Sequence, residues 1–321
     1  MIGALTRRLP ALAAGPDTGA RRKVAGVPYD AFMGLNVSSV VSSVDGSTPR
    51  SACVLLMGHG TRDEAGAREF LDIVAAVRAA DSRWPVLAGF LEFGGGVVPS
   101  IAEAADACVQ AGRLHVAGVP VLLHHAGHDK RDMPGVVDEA CRRHPSLDLR
   151  LAPSIGFDHR LIEILQQRIA DAQGGAPALA VEDVTVLLVG RGSTDREANR
   201  VFHSVGEVLS REVAFRGVRC CFVSLAEPDV VAGIQACVAT GARRVLVMPY
   251  FVHSGILVTR IGEQSTVARA RFPETEIVVG RPFGAHPHLV ALIWERARST
   301  LWSLSDSIPN EPMANSARAS T

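Results

Sequence analysis

Residues 54–62 read VLLMGHGTR, and residues 186–194 read VLLVGRGST. An apolar run ending in Gly-X-Gly is thus written twice. Only the first copy places a histidine, His59, between the glycines; the second has Arg191. The likeness extends outward from this turn. Asp63, Arg68 and Phe70 recur as Asp195, Arg200 and Phe202, and PSIAEAADACVQAG (99–112) aligns with PDVVAGIQACVATG (228–241). Pro120, Gly127, Pro145 and Gly156 find counterparts in Pro249, Gly255, Pro273 and Gly284. Matches that keep their order over this length mark a tandem duplication.

Within each copy, short β-rich runs alternate with segments of helical period. In the first copy the pattern predicts strands near 52–57, 85–91, 113–123 and 148–152, and helices near 62–80, 99–111, 132–143 and 158–171. Phe70, Ile73, Val74 and Val77 share one face of the first helix. Thr61–Glu64 ahead of it, and Thr194–Glu197 in the second copy, fit a capping box. Near-continuous apolar strands between helices imply a parallel sheet covered on both faces. The expected fold is therefore α/β, with two tandem doubly wound parallel-sheet domains, 51–172 and 183–302, related by a pseudo-twofold axis with a cleft between them. DAQGGAPALAVED (171–183) reads as the connector, with 173–182 as its linker. Residues 1–50 and 303–321 lack periodicity and are expected to be disordered. The first 23 residues hold five Lys and Arg against Asp17 alone but no apolar core of signal-peptide type, so a disordered extension is preferred to a transit peptide.

Lys plus Arg and Asp plus Glu both number 33, so no global field draws the chain to nucleic acid or to a membrane surface. No apolar run approaches the ~18 residues of a membrane span. The cysteines (53, 108, 141, 220, 221 and 237) form no Cys-X-X-Cys, and several lie in apolar runs. They read as small buried hydrophobes in a reducing cytoplasm. Fusion of two repeats replaces a dimer of single-repeat subunits and favours a monomer.

In a doubly wound sheet, ligands gather beyond the carboxyl ends of the strands. His59 stands at such an end. So does His128, which closes HHAGH (124–128) after the run Pro120–Leu123. Two neutral imidazoles converging there suit a borderline divalent ion such as Co²⁺, Fe²⁺ or Ni²⁺, and they accept protons near neutral pH. In the second copy His59 becomes Arg191 and His128 becomes Ile256. Histidines needed for folding would be needed in both copies, so the asymmetry points to function. His125 and His253 correspond and distinguish nothing. Glu92 and Glu227 are read as ending the second strand of each copy, which makes FGGGVV (93–98) an insertion of six residues at the rim. Glu92 is a candidate metal ligand or proton relay. Arg62, Arg131, Arg191 and Arg260, with Lys130, lie near predicted strand ends as candidates for holding substrate carboxylates.

The segments LLMGHGTRDEA, FLE…PSI, VPVLLHHAGHDKRDMP, LLVGRGSTDREAN and VMPYFVHSGILVTRI together resemble a two-repeat member of the class II chelatases, the CbiX/SirB sirohydrochlorin chelatase family, from about Cys53 to Trp302. The resemblance implies insertion of a divalent metal, cobalt or else iron, into sirohydrochlorin or a related reduced tetrapyrrole on the way to cobalamin or sirohaem. It places the family's two active-site histidines on His59 and His128, and its acidic residue on Glu92. The metal is substrate, and no permanently bound cofactor is expected. Some long members carry a His-rich stretch and a cysteine motif for an iron–sulfur cluster near the C-terminus; with no cysteine beyond Cys237, no cluster is expected here.

Two other readings compete. Histidine phosphatases use Arg-His-Gly, but the residue before His59 is Gly58, and a duplication has no place in their scheme. A bilobed protein that carries a tetrapyrrole or a metal without reacting would use the same cleft.

Overall fold

The computed structural model describes residues 51–94, 96–123, 129–174 and 179–305. The N-terminal segment 1–50 lies outside the described residues. The first sheet contains β1 (Ala52–Gly58), β2 (Val86–Phe90), β3 (His115–Pro120) and β4 (Asp148–Leu151), and the second β5 (Val184–Gly190), β6 (Gly217–Phe222), β7 (Arg244–Pro249) and β8 (Glu276–Val279). The orders are β2-β1-β3-β4 and β6-β5-β7-β8, and every pairing is parallel. Each sheet therefore reverses its winding between its first and third strands, at β1/β3 and at β5/β7. This is where a doubly wound sheet opens a crevice at its carboxyl end.

The helices are α1 (Glu64–Ala80), α2 (Ile101–Gln110), α3 (Asp129–Arg143), α4 (His159–Gln173), α5 (Arg196–Glu212), α6 (Val230–Ala239), α7 (Ile256–Arg271) and α8 (Pro287–Ser305). Alternation along β1 sends Ala52, Val54 and Leu56 into one large core and Cys53 towards Cys108 of α2 on the other face. Along β5, Val186 and Leu188 join the same large core, while Leu187 and Val189 face a second one. The large core thus lies between the two sheets. Phe70, Phe90, Phe202, Phe222, Phe283 and Trp294 fill it from both repeats.

The last helix of each repeat crosses over. After β4 of the first sheet, α4 packs on β7 and α5; after β8 of the second sheet, α8 packs on β3, β4 and α1. The exchange is pinned by polar contacts. The Trp294 indole donates to the Val77 carbonyl at 2.9 Å, and Arg168 donates to the carbonyls of Pro282 and Phe283 at 3.1 and 2.6 Å. Truncating a buried Trp of this kind costs about 3–5 kcal/mol. α8 runs through Ser305, into the stretch expected to lack structure, because Leu304 is buried in the shared core.

Helix starts differ from expectation in one detail. Neither Thr61 nor Thr194 caps a helix. Asp63 accepts from the amides of Ala65 and Gly66, both at 3.3 Å, and Asp195 accepts from Glu197 at 2.9 Å. Thr61 and Ser193 instead accept from those aspartates' own amides, at 3.1 and 3.0 Å. A carboxylate also suits the positive end of the helix dipole, which favours it over the hydroxyl. The reciprocal capping box occurs at Ser100 and Glu103 of α2. All described cysteines are free; four are buried, and Cys141 and Cys220 are half-buried. Burial pushes the Cys220 thiol up to about 12, far from thiolate reactivity.

Candidate active site

β1 ends at Gly58, and the chain turns through His59 and Gly60 before Asp63 caps α1. Gly60 has φ +107°, and a Cβ there would lie 1.9 Å from the Glu92 carbonyl oxygen, so only glycine fits. This close approach lets the post-β2 segment pair with the turn. The amides of Leu91 and Glu92 donate to the carbonyls of Gly58 and His59, both at 2.9 Å. Two residue types suited to metal and proton chemistry, the half-buried His59 and the exposed Glu92, are thereby held side by side at the carboxyl end of the sheet.

The second repeat repeats the backbone. Gly192 has φ +83° and would place a Cβ 1.9 Å from the Ser224 carbonyl oxygen; Val223 and Ser224 donate to Gly190 and Arg191 at 2.9 and 3.1 Å. The counterpart of Glu92 is therefore Ser224, and the expected match with Glu227 is wrong. Phe90 and Phe222 donate to Pro99 and Pro228 at 2.8 and 2.9 Å, which fixes the other end of the loop. Residues 93–98 in the first copy thus face 225–227 in the second, an excess of three residues where six were expected. The carboxylate of the Glu-Pro pair at 227–228 sits just before the proline, whereas hydrogen bonding aligns the residues directly after the strand. The correction sharpens the asymmetry: His59 and Glu92 give way to Arg191 and Ser224 on one scaffold.

The second repeat also contacts the helix that follows the first turn. After β7, the Ser254 amide donates to Glu69 of α1 at 2.7 Å. Gly66 of α1 lies so near that a Cβ would stand 2.3 Å from the Ser254 carbonyl oxygen. The His253 ring meets Phe70 edge-on at 6.0 Å, and its Nδ1 lies 2.6 Å from the Ser254 carbonyl oxygen. Burial pushes the His253 pKa down, which favours the neutral ring. Sequence pattern missed the Glu69–Ser254 clasp, because neither residue differs in type from an ordinary surface residue.

His128, with His124 and His125, lies outside the described residues, as does the side chain of Lys130. Among the described residues no three His, Cys, Asp or Glu side chains converge as a metal site. Ile256, matched to His128, opens α7 and is exposed. Arg62 and Arg191 sit in the turns after β1 and β5, and Arg131 and Arg260 near the starts of α3 and α7; all four are exposed. Arg68, Arg160 and Arg168 are tied to carboxylates, whereas these four form no ion pair among the described residues. The Arg62 guanidinium instead lies over the Phe93 ring, 4.5 Å from its centroid.

The CbiX family model matches residues 53–172 and, separately, 185–300. This chain belongs to the CbiX/SirB chelatase family. The CbiX-family chain is 30% identical over 249 residues to the sirohydrochlorin cobaltochelatase of Priestia megaterium, covering 77% of this chain and 79% of that one. It is 27% identical over 247 residues to the sirohydrochlorin ferrochelatase of Bacillus subtilis (strain 168), covering 77% and 91%. The structure of SirB from Bacillus subtilis with Fe³⁺ superposes with a TM-score of 0.65 and 26% identity over 80% of this chain and 98% of the other. No helix among the described residues is long and apolar enough to cross a membrane.

Proposed function

We propose that the chain inserts a divalent first-row ion, Co²⁺ or else Fe²⁺, into sirohydrochlorin or a closely related reduced tetrapyrrole. The observation that carries this reading is the pair of equivalently hydrogen-bonded turns: His59 and Glu92 are joined through backbone in the first, and Arg191 and Ser224 replace them in the second. The first repeat does the chemistry, and the second supplies wall and charge.

Metal insertion strips water from the ion, removes two pyrrole protons and brings ion and macrocycle face to face. A neutral imidazole at His59 serves as a borderline ligand and as a proton acceptor near neutral pH. His128, which follows β3 in sequence, and Glu92 complete an open donor set. Open coordination is required, because a closed four-ligand site would retain the ion. Arg62, Arg191, Arg131 and Arg260 take the substrate's peripheral carboxylates, a task suited to the forked guanidinium. The core shared by both repeats supports a single chain as the working unit, and the free buried thiols of the chain suit the reducing cytoplasm.

The test follows the visible absorption of sirohydrochlorin with Co²⁺, Fe²⁺ or Ni²⁺ at substoichiometric protein. Many turnovers per chain, above the metal-only rate, are expected. A change that stops at one equivalent per chain would make the protein a carrier and overturn the proposal.

A further inference from the structure

Phe93 follows Glu92 directly and is 46% exposed, with backbone φ +56°. Its counterpart Leu225 is 58% exposed with φ +59°. The left-handed region is costly for a bulky residue, and glycine or asparagine would build this turn more cheaply. Both repeats nonetheless spend it on a large apolar side chain presented to solvent. The backbone shape therefore explains neither residue, and the side chains call for a role of their own.

The two positions differ in what accompanies them. At Phe93 the Arg62 guanidinium covers the ring at 4.5 Å and has no ion pair among the described residues. Thr194 occupies the position of Arg62 in the second turn. An exposed aromatic face beside an arginine with no ion pair among the described residues, one residue from Glu92 and joined through it to His59, fits a flat conjugated ligand that carries carboxylates on its edge. Such a ligand stacks on an aromatic ring and offers the guanidinium a bidentate partner.

We propose that Phe93 is the platform on which one face of the tetrapyrrole rests, and that Arg62, which covers the ring in this structure, moves to a peripheral carboxylate when the macrocycle arrives. The exchange replaces a solvent-exposed cation–π contact with a ring-on-ring contact and a charge-assisted hydrogen bond. It orients the macrocycle against His59 without touching the metal. This inference rests on the proposed function and deepens it.

Phe93→Gly separates the side chain from the backbone, because glycine relieves the left-handed φ while removing the ring. Binding of metal-free sirohydrochlorin by fluorescence titration, and steady-state metallation, are measured for wild type, Phe93→Gly, Phe93→Trp and Leu225→Gly. We expect Phe93→Gly to melt no lower than wild type, to weaken tetrapyrrole binding and raise the tetrapyrrole KM about tenfold, and to leave the metal KM unchanged. Phe93→Trp restores binding, and Leu225→Gly shifts it less than Phe93→Gly. If wild type binds and turns over while Phe93→Gly matches it within about twofold, the platform is overturned and the proposed function stands. If wild type neither binds nor turns over sirohydrochlorin, both fall.

Discussion

The turns at 58–62 and 190–194 are one piece of scaffold carrying two sets of side chains. Each has a positive-φ glycine whose missing Cβ lets a carbonyl approach, and each receives two amides from the segment after the neighbouring edge strand. What changes is the cargo: His59 with Glu92 in one, Arg191 with Ser224 in the other. Stability requirements act on the glycines alike in both repeats, and the proposed function assigns the difference in cargo to the reaction. A duplicated chain supplies its own control, since residues that serve the fold occur twice and residues that serve the reaction occur once.

The largest expected effect comes from exchanging cargo. His59→Ala should lower kcat for metallation by about 10²–10⁴-fold, the range for loss of a positioned base or ligand. Arg191→Ala should act mainly on the tetrapyrrole KM and by no more than about tenfold, as for one exposed carboxylate contact. Neither should shift the thermal midpoint appreciably. Equal losses of kcat at the two positions would erase the distinction between a reacting and a supporting repeat.

Next come the glycines. Gly60→Ala and Gly192→Ala each force a Cβ into the left-handed region and into a carbonyl oxygen, so each should destabilise the protein by at least about 2 kcal/mol, as read from urea unfolding. The two losses should be similar, whereas metallation measured on folded protein should fall much further for Gly60→Ala, because that turn carries His59. Markedly unequal losses of stability would show that the turns are not equivalent scaffolds.

The sequence reveals the scaffold more readily than the packing. Runs such as Val54–Met57 and Val186–Val189 are buried on both faces, and buried strands announce themselves as unbroken apolar stretches. The helix exchange was not legible. The buried stripe of Leu161, Ile162, Leu165 and Ile169 in α4 shows that this face needs a sheet, but not which of two similar sheets receives it. His59 stood out because two glycines frame it and its repeat lacks it. Phe93 did not, because an aromatic next to a strand resembles core until its exposure and φ are known. Glu227 was matched to Glu92 because a shared residue type is visible in sequence, while the bond from Ser224 to Arg191 is not.

The smallest expected effect concerns the exchanged helices. Their starts are equivalent, yet they are capped by different chemistry. At α4, Asp158 accepts from the Arg160 amide at 3.0 Å, and the Arg160 side chain holds its pKa below the usual carboxylate range. At α8, the His286 carbonyl accepts from Val290 at 3.0 Å and its Nδ1 accepts from the His288 amide at 3.2 Å, so a histidine is the cap. Burial, with Arg168 and His288 nearby, lowers its pKa, as an accepting Nδ1 beside a positive helix end requires. A lowered histidine pKa means that the unfolded chain takes up the proton first. The cap's contribution is therefore complete above about pH 6.5 and is lost as pH falls from there through the folded pKa. Asp158 keeps its contribution throughout that window, because it protonates only below the ordinary carboxylate value of about 3.9. His286→Asp should accordingly change the midpoint little at pH 8 and raise it by about 2 °C relative to wild type near pH 5. A shift that stays constant between those pH values would mean that the imidazole does not act as the acceptor. Kinetics measured at pH 8 should be unchanged, because α8 is bonded to Val77 and Asp81, at the end of α1 opposite to Asp63 and the turn at His59.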